Sequence, residues 1–439
     1  MSSMLDLINE LWFLKREIVS DDFDRALSRL AEELPITIHE YPSGTPVWTW
    51  TVPEKWTCDE AYLETLDGRR LIDYADHPLH VVSYSLPFDG EVSRQELLEH
   101  IHVHPRLPDA IPFVFKYYQR DWGLCATQKL RDSLTEDEYR VVIRSRFEPG
   151  ALKVGEVLIP GEQEECFVLA AHLCHPAMVN DDLTGVVVGL DVARALLAGP
   201  KPRFTYRLLI LPETIGSVAY LSHNESLIPN MVGGLFLEML GNDAPLALQQ
   251  SMQPASPADK ALAAALPGVD PHGYIGPYRT IISNDERQFN APGVRVPMLA
   301  ISRVENPASP DSLFMPYPEY HSSADDPSIV TQERLESARD SVLALIQVFE
   351  RDRYVVNKFK GEVFASGQGI WIDYTVNPEG HRRLFEIMER CDGARTVSDI
   401  ALELNLPFQV VWEVVSQFAE KDLIEFSDIP SPTDPHLSA

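Results

Sequence analysis

Four runs between residues 145 and 355 are apolar almost without interruption: CFVLAA at 166–171, YRLLIL at 206–211, GLFLEML at 234–240 and VPMLAIS at 296–302. A strand with one wet face alternates apolar and polar residues, whereas a strand covered on both faces does not need to. Between these runs lie stretches with helical spacing. LTGVVVGLDVARALLAG is closed by Gly199-Pro200, and TQERLESARDSVLALIQVFERDRYV ends the block. Buried strands alternating with helices predict an α/β fold: a three-layer α/β/α core around a mixed, mostly parallel sheet.

The flanks have a different texture. Leu5, Ile8, Leu11, Trp12, Leu14 and Ile18 recur at helical spacing, so residues 4–34 predict one or two amphipathic helices. From 45 to 144, short runs such as TPVWTWTVP, RRLIDYA and LHVVSYSLPF alternate with turn residues and predict an embedded, mostly β domain. The core is then 1–44 together with 145–355. VSDIALELN, a turn and FQVVWEVVSQFAEKDLIEF predict a winged-helix-like domain over 356–430, followed by a flexible tail at 431–439.

Charge narrows the partners. The chain of 439 residues has a formal net charge of −29, and its predicted winged helix has five basic against ten acidic residues between 379 and 425. Both repel phosphate, so neither nucleic acid nor a membrane surface is an expected partner. Five scattered cysteines without a C-x-x-C pair fit a reducing compartment, and the charged start is no signal peptide. The expectation is a cytoplasmic protein, with a homo-oligomer open.

Ligands of open α/β sheets bind at the carboxyl ends of strands. There the sequence places His172, Cys174 and His175, then Asp181 and Asp182; Glu213 before Thr214; Glu238; and, further on, His321 and Asp325. Imidazoles and carboxylates gathered at strand ends are what a zinc site requires. Each has a plainer reading. Either histidine could be structural, Asp181 or Asp182 could cap the helix that follows, and Glu238 could pair with Arg287 or Arg303. The order of the whole set favours the metal.

The stretches HLCHPAMVNDDLTG, LPETIGSVAYLS, LFLEMLGN, SNDERQFNAPGVRVP and YHSSADD resemble the zinc aminopeptidase family that also includes glutamate carboxypeptidase and glutaminyl cyclase. Nearly the whole chain resembles a bacterial group of aminopeptidase-like proteins often encoded near polysaccharide-biosynthesis genes. The resemblance implies a zinc-peptidase core with Asp181 as a bridging carboxylate, Glu213 as general base, and Glu238 and His321 as ligands. It also implies His172 as the first histidine, with His175 a rival, and Asp182 and Asp325 behind them. Asp285, Glu286 and Arg287 match a substrate-facing segment, where a carboxylate could bind an amino group and Arg287 a carboxylate.

Two departures bear on the metal. Cys174 stands where the family has an aspartate that orients a histidine, and Thr214 stands where it has a second glutamate ligand. The expectation is one zinc ion rather than two. The expected activity is zinc-dependent hydrolysis of a small peptide or aminoacyl amide. The alternatives are amide hydrolysis or acyl transfer on a modified sugar or secondary metabolite, and a non-catalytic binding protein. Tyr117, Tyr118 and Trp122 are candidates for the cleft wall.

Overall fold

The structure is a computed structural model that describes residues 2–305 and 315–433; residues 434–439, most of the predicted tail, lie outside it. The described residues form two units, those within 2–252 and 276–339 and those within 253–275 and 340–433.

In the first unit, seven strands of the central sheet run in the order Thr37–Pro42, Ala151–Ile159, Thr205–Leu211, Cys166–His172, Met231–Leu237, Met298–Arg303 and Leu246–Gln249. The four apolar runs of the sequence form the parallel centre, and the outer strands pair antiparallel. Every residue of Cys166–His172 is buried, so both faces of that strand are covered, as its unbroken apolar character requires. It is also the point where the chain switches direction across the sheet. Thr205–Leu211 lies on one side of it and Met231–Leu237 on the other. Crevices form at such switch points, outside the carboxyl ends of the strands.

The predicted helix after this strand spans Leu183–Ala198, with Gly199 as its C-cap. The amphipathic start is two helices, Met4–Leu11 and Asp21–Leu30, which bury Leu7, Ile8 and Leu11, and Phe23, Leu27 and Leu30. The inserted region holds a four-stranded antiparallel sheet in the order Arg70–Asp73, Lys55–Thr65, Glu138–Glu148 and Phe88–Ser93. LHVVSYSLPF is mostly loop rather than strand, because its backbone groups bond singly to the distant Gly123, Val114 and Asp121 instead of pairing along a ladder.

The second unit contains a three-stranded antiparallel sheet, Asp392–Thr396, Tyr354–Asn357 and Ile424–Ser427, with helices Pro378–Met388, Val397–Leu404 and Phe408–Glu420. Val355, Leu384, Ile400, Val411, Val415 and Phe418 are buried in one cluster there. No helix among the described residues is long and apolar enough to cross a membrane.

Candidate metal centre

Three strand ends deliver the central groups. His172 closes Cys166–His172, Glu213 follows Leu211 by two residues, and Glu238 directly follows Leu237. The loop from Leu173 to Asp182 returns Asp181 to His172. This loop contains two non-glycine residues at positive φ, His175 at 88° and Ala177 at 50°, so it needs support from outside itself.

Two buried groups give that support. The Arg16 guanidinium donates to the carbonyls of Leu173 at 3.1 Å, His175 at 2.8 Å and Met178 at 2.9 Å. Asp325 accepts from the backbone N–H groups of Val179, Asn180 and Asp181, at 3.3, 2.7 and 3.1 Å, and from the Tyr317 hydroxyl at 2.6 Å. Burial pushes the Asp325 carboxyl up to about 6 even against those donors.

The neighbouring aspartates divide their work. Asp182 is the helix cap: it accepts from Gly185 N–H and Met239 N–H, both at 3.0 Å, and from His172 N–H at 3.4 Å. Asp181 faces three imidazoles. Its Oδ1 lies 3.0 Å from His172 Nε2, and its Oδ2 lies 3.0 Å from His321 Nε2 and 3.9 Å from His175 Nε2. Glu238 Oε1 is 3.7 Å from His172 Nε2 and accepts from the Asn284 amide. Neither Arg287 nor Arg303 pairs with it.

These contacts make two sets of three ligand atoms that share Asp181: His172, Asp181 and Glu238, and His175, Asp181 and His321. Ligands held about 2.0–2.2 Å from one zinc ion stand roughly 3–4 Å apart, and the imidazole–carboxylate separations of 3.0–3.9 Å fall in that range. The residues therefore fit such an ion on an independent ground. His172 Nε2 and Asp181 Oδ1 are buried 3.0 Å apart without meeting in hydrogen-bond geometry, and Glu238 Oε2 is buried with no partner at all. Buried polar atoms are rarely left bare, and buried carboxylates need a compensating positive charge. Burial pushes the Glu238 carboxyl up, and the nearby Asp181 charge adds to the shift. Asp181 itself is held well below the usual range, its burial outweighed by His175, His172 and His321.

Cys174 takes an unexpected position. Its Sγ lies 3.9 Å from His172 Nδ1 and 3.4 Å from His175 Nδ1, and it accepts from Glu213 N–H at 3.1 Å. The sulfur thus contacts the rear nitrogen of both histidines and the backbone of Glu213. The Glu213 carboxylate is a quarter exposed and 3.6 Å from His175 Nε2. His321 is stacked under Tyr320 at 3.9 Å and edged by Phe113 at 5.4 Å.

The 284–287 segment differs from the expectation. Asp285 and Glu286 are buried and do not face the cleft. Asp285 Oδ1 accepts from Thr214 N–H at 2.9 Å and Ser217 Oγ at 2.5 Å; Glu286 accepts from Gln249 Nε2 at 3.2 Å and Asn284 N–H at 2.9 Å. Burial pushes the Asp285 carboxyl up to about 7 and that of Glu286 to about 8. Only Arg287 of the three lines the cleft, with Tyr117, Tyr118 and Trp50. Trp122 stacks instead between Phe88 and His100, with ring centroids at 4.5 and 4.0 Å. The sequence reading missed Arg16, Asn284, Phe113 and Tyr320.

Known proteins place this geometry. Residues 5–352 match the family described as a domain of unknown function, DUF4910. A protein of Clostridium acetobutylicum, named for polysaccharide biosynthesis and an aminopeptidase-like domain, is 32% identical over 411 residues, covering 92% of each chain. A crystal structure from the same organism, described as that of a peptidase, covers 96% of each chain at 30% identity with a TM-score of 0.83. The zinc aminopeptidase of Bacillus subtilis shares the fold at 14% identity, covering 78% of this chain and 93% of its own, with a TM-score of 0.59. The chain has an aminopeptidase-like fold and belongs to the DUF4910 family.

Proposed function

We propose that the protein is a zinc-dependent hydrolase of the aminopeptidase type, acting on a small amide such as a short peptide or an aminoacyl amide. The observation that carries this reading is the set of bare, buried ligand atoms on His172, Asp181 and Glu238 beside a solvent-facing Glu213. Zinc in these sets would polarise the amide carbonyl and lower the pKa of a water. Glu213 takes the proton of the attacking water and returns it to the leaving nitrogen. Asp181, Glu238, His172, His175 and His321 hold the cations, Cys174 and Asp325 orient that ligand set, and Phe113 and Tyr320 shield it from water.

Two cations suit the ligands better than the single ion expected from Thr214. His175 provides, beside Glu213, the donor that Thr214 lacks, and Asp181 offers one oxygen to each set. Amides of modified sugars are a second substrate reading. The aromatic wall of Trp50, Tyr117 and Tyr118 favours it, as does the polysaccharide link in the relative's name.

The test combines metal analysis with hydrolysis of a panel of aminoacyl, peptidyl and N-acyl amides, including amidated sugars. Glu213→Gln should keep the zinc content and lose about 10²–10⁴-fold in turnover, the usual worth of a positioned base. Zinc-replete protein that cleaves nothing on the panel, or a glutamine variant as active as the parent, would end the reading.

A further inference from the structure

Two hollows meet at Glu213 and Phe115. One, of about 440 Å³, is bounded by Trp50, Tyr117, Tyr118, Thr214, Arg287 and Gln288. The other is bounded by Glu238, Arg279, Asn284, Tyr320 and His321. Lys116, Glu213 and Arg287 are the Lys, Arg, Asp and Glu side chains lining the first hollow; Glu213, Glu238 and Arg279 are those lining the second. Lys116 is already paired with Asp121. Both lining carboxylates already have roles, one as base and one as ligand. Asp285 and Glu286, which could have received an ammonium group, are buried behind Thr214 and Gln249. Two acids line adjacent hollows: Glu225, beside Trp50 and Gln288, accepts from Trp48 Nε1 at 2.6 Å, and Glu54, beside Tyr117 and Tyr118, is paired with Arg120 at 2.5 Å.

Arg287 is in the opposite condition. Its Nε is fixed to the carbonyl of Asn284 at 2.8 Å, its Nη2 reaches Thr214 Oγ1 only at 3.5 Å, and no carboxylate among the described residues forms an ion pair with it. This is a half-buried guanidinium, oriented from behind, with its outer edge unspent beside the general base. A planar fork of this kind suits a carboxylate. A substrate ammonium in the same hollow would meet like charge with no free acid to offset it.

We infer that the substrate carries a carboxylate, anchored by Arg287, and that its amine is acylated rather than free, which keeps amide hydrolysis as the reaction and sets the aminoacyl amides aside. The aromatic wall receives the apolar or ring portion between the carboxylate and the scissile amide. The inference rests on the hydrolase reading only for the bond broken: one water is consumed, the acyl C–N bond breaks, the acyl carbon gains hydroxyl and the nitrogen gains hydrogen. On N-acetyl-L-phenylalanine the products are acetate and phenylalanine.

The experiment measures binding and turnover separately. Calorimetry on zinc-loaded Glu213→Gln protein compares N-acetyl-L-phenylalanine with L-phenylalaninamide, and the wild type is assayed for cleavage of both. The acetylated acid should bind at least about 10-fold tighter, and Arg287→Gln should weaken it by roughly 10–100-fold, the worth of a charge-assisted pair. Arg287→Lys should recover part of this, and the amide's affinity should not fall. Unchanged zinc content and melting temperature establish that both variants fold. Tighter binding of L-phenylalaninamide, indifference of the acetylated acid to Arg287→Gln, or binding of neither ligand would overturn the inference. Arginine-dependent binding of the acid without cleavage of either compound would uphold it while the hydrolase reading falls. Preferred cleavage of the free-amine compound would do the reverse.

Discussion

Two groups of residues bury acidic side chains around Glu213, and only one of them brings those side chains together with imidazoles. In the stretch 284–287, Glu286 has a donor for each oxygen, and Asp285 gathers two donors on Oδ1 and leaves Oδ2 bare. Neither belongs to any close group of three ligand atoms among the described residues. At the strand ends around 172–182, Asp181 and, from the end of the neighbouring strand, Glu238 converge on imidazoles and leave oxygens bare. Burial alone therefore does not mark a metal ligand. What distinguishes the second group is that several bare donors converge on one point, which hydrogen bonds within the protein do not fill.

The largest effects should separate these groups. Asp181→Asn removes the charge common to both ligand sets. Zinc content should fall to less than about a tenth of the parent's and turnover by at least roughly 10³-fold. Asp285→Asn should retain its zinc and instead cost on the order of 1–3 kcal/mol in denaturant unfolding, the range for a disturbed buried hydrogen bond. Equal zinc loss in both variants would break the comparison. A smaller effect sharpens it: Cys174→Ala leaves every ligand in place but removes the sulfur behind two of them. Zinc affinity, measured by competition with a chelator, should weaken by about 10–100-fold, the usual cost of losing an outer partner. An unchanged affinity would show that the loop is held by Arg16 and Asp325 alone.

The strand ends were legible in sequence because a buried parallel strand has a distinctive apolar run and its chemistry follows immediately. His172, Glu213 and Glu238 were found that way. The division between Asp181 and Asp182 came from the family resemblance and not from the local residues, because both are acids ahead of a helix and only the return of the loop distinguishes them. Residues 285 and 286 misled for a related reason: a polar D-E-R run reads as exposed, and nothing local announces that Thr214, Ser217 and Gln249 will enclose it. Arg16 left no signal at all. An arginine between two amphipathic helices looks like surface, and its three carbonyl partners lie more than 150 residues away. The inserted region was only partly readable, since its run LHVVSYSLPF packs mostly as loop rather than as strand.

Glu17, like Asp285, is a buried carboxylate with one bare oxygen and no place in a ligand set among the described residues. Oε1 accepts from Ser83 Oγ at 2.7 Å, while Oε2 has no partner. Here burial, only partly opposed by Ser83, pushes the carboxyl up to about 7 from 4.5. A raised pKa in the folded state means that folding favours the protonated form. The contribution is complete below the unfolded value of 4.5 and is lost as pH rises through about 7. Between pH 5 and 8 the wild type should lose about 2–3 kcal/mol through this group, at about 1.4 kcal/mol per pKa unit. Glu17→Gln, which mimics the protonated acid, should lack that slope and be the more stable protein at pH 8 in urea unfolding. The same bare oxygen is then answered by a proton where no second ligand is near and by a cation where imidazoles converge. A Glu17→Gln protein with the parent's pH slope would show that bare oxygens in this interior are tolerated, and the case for the metal would then rest on the convergence of ligands alone.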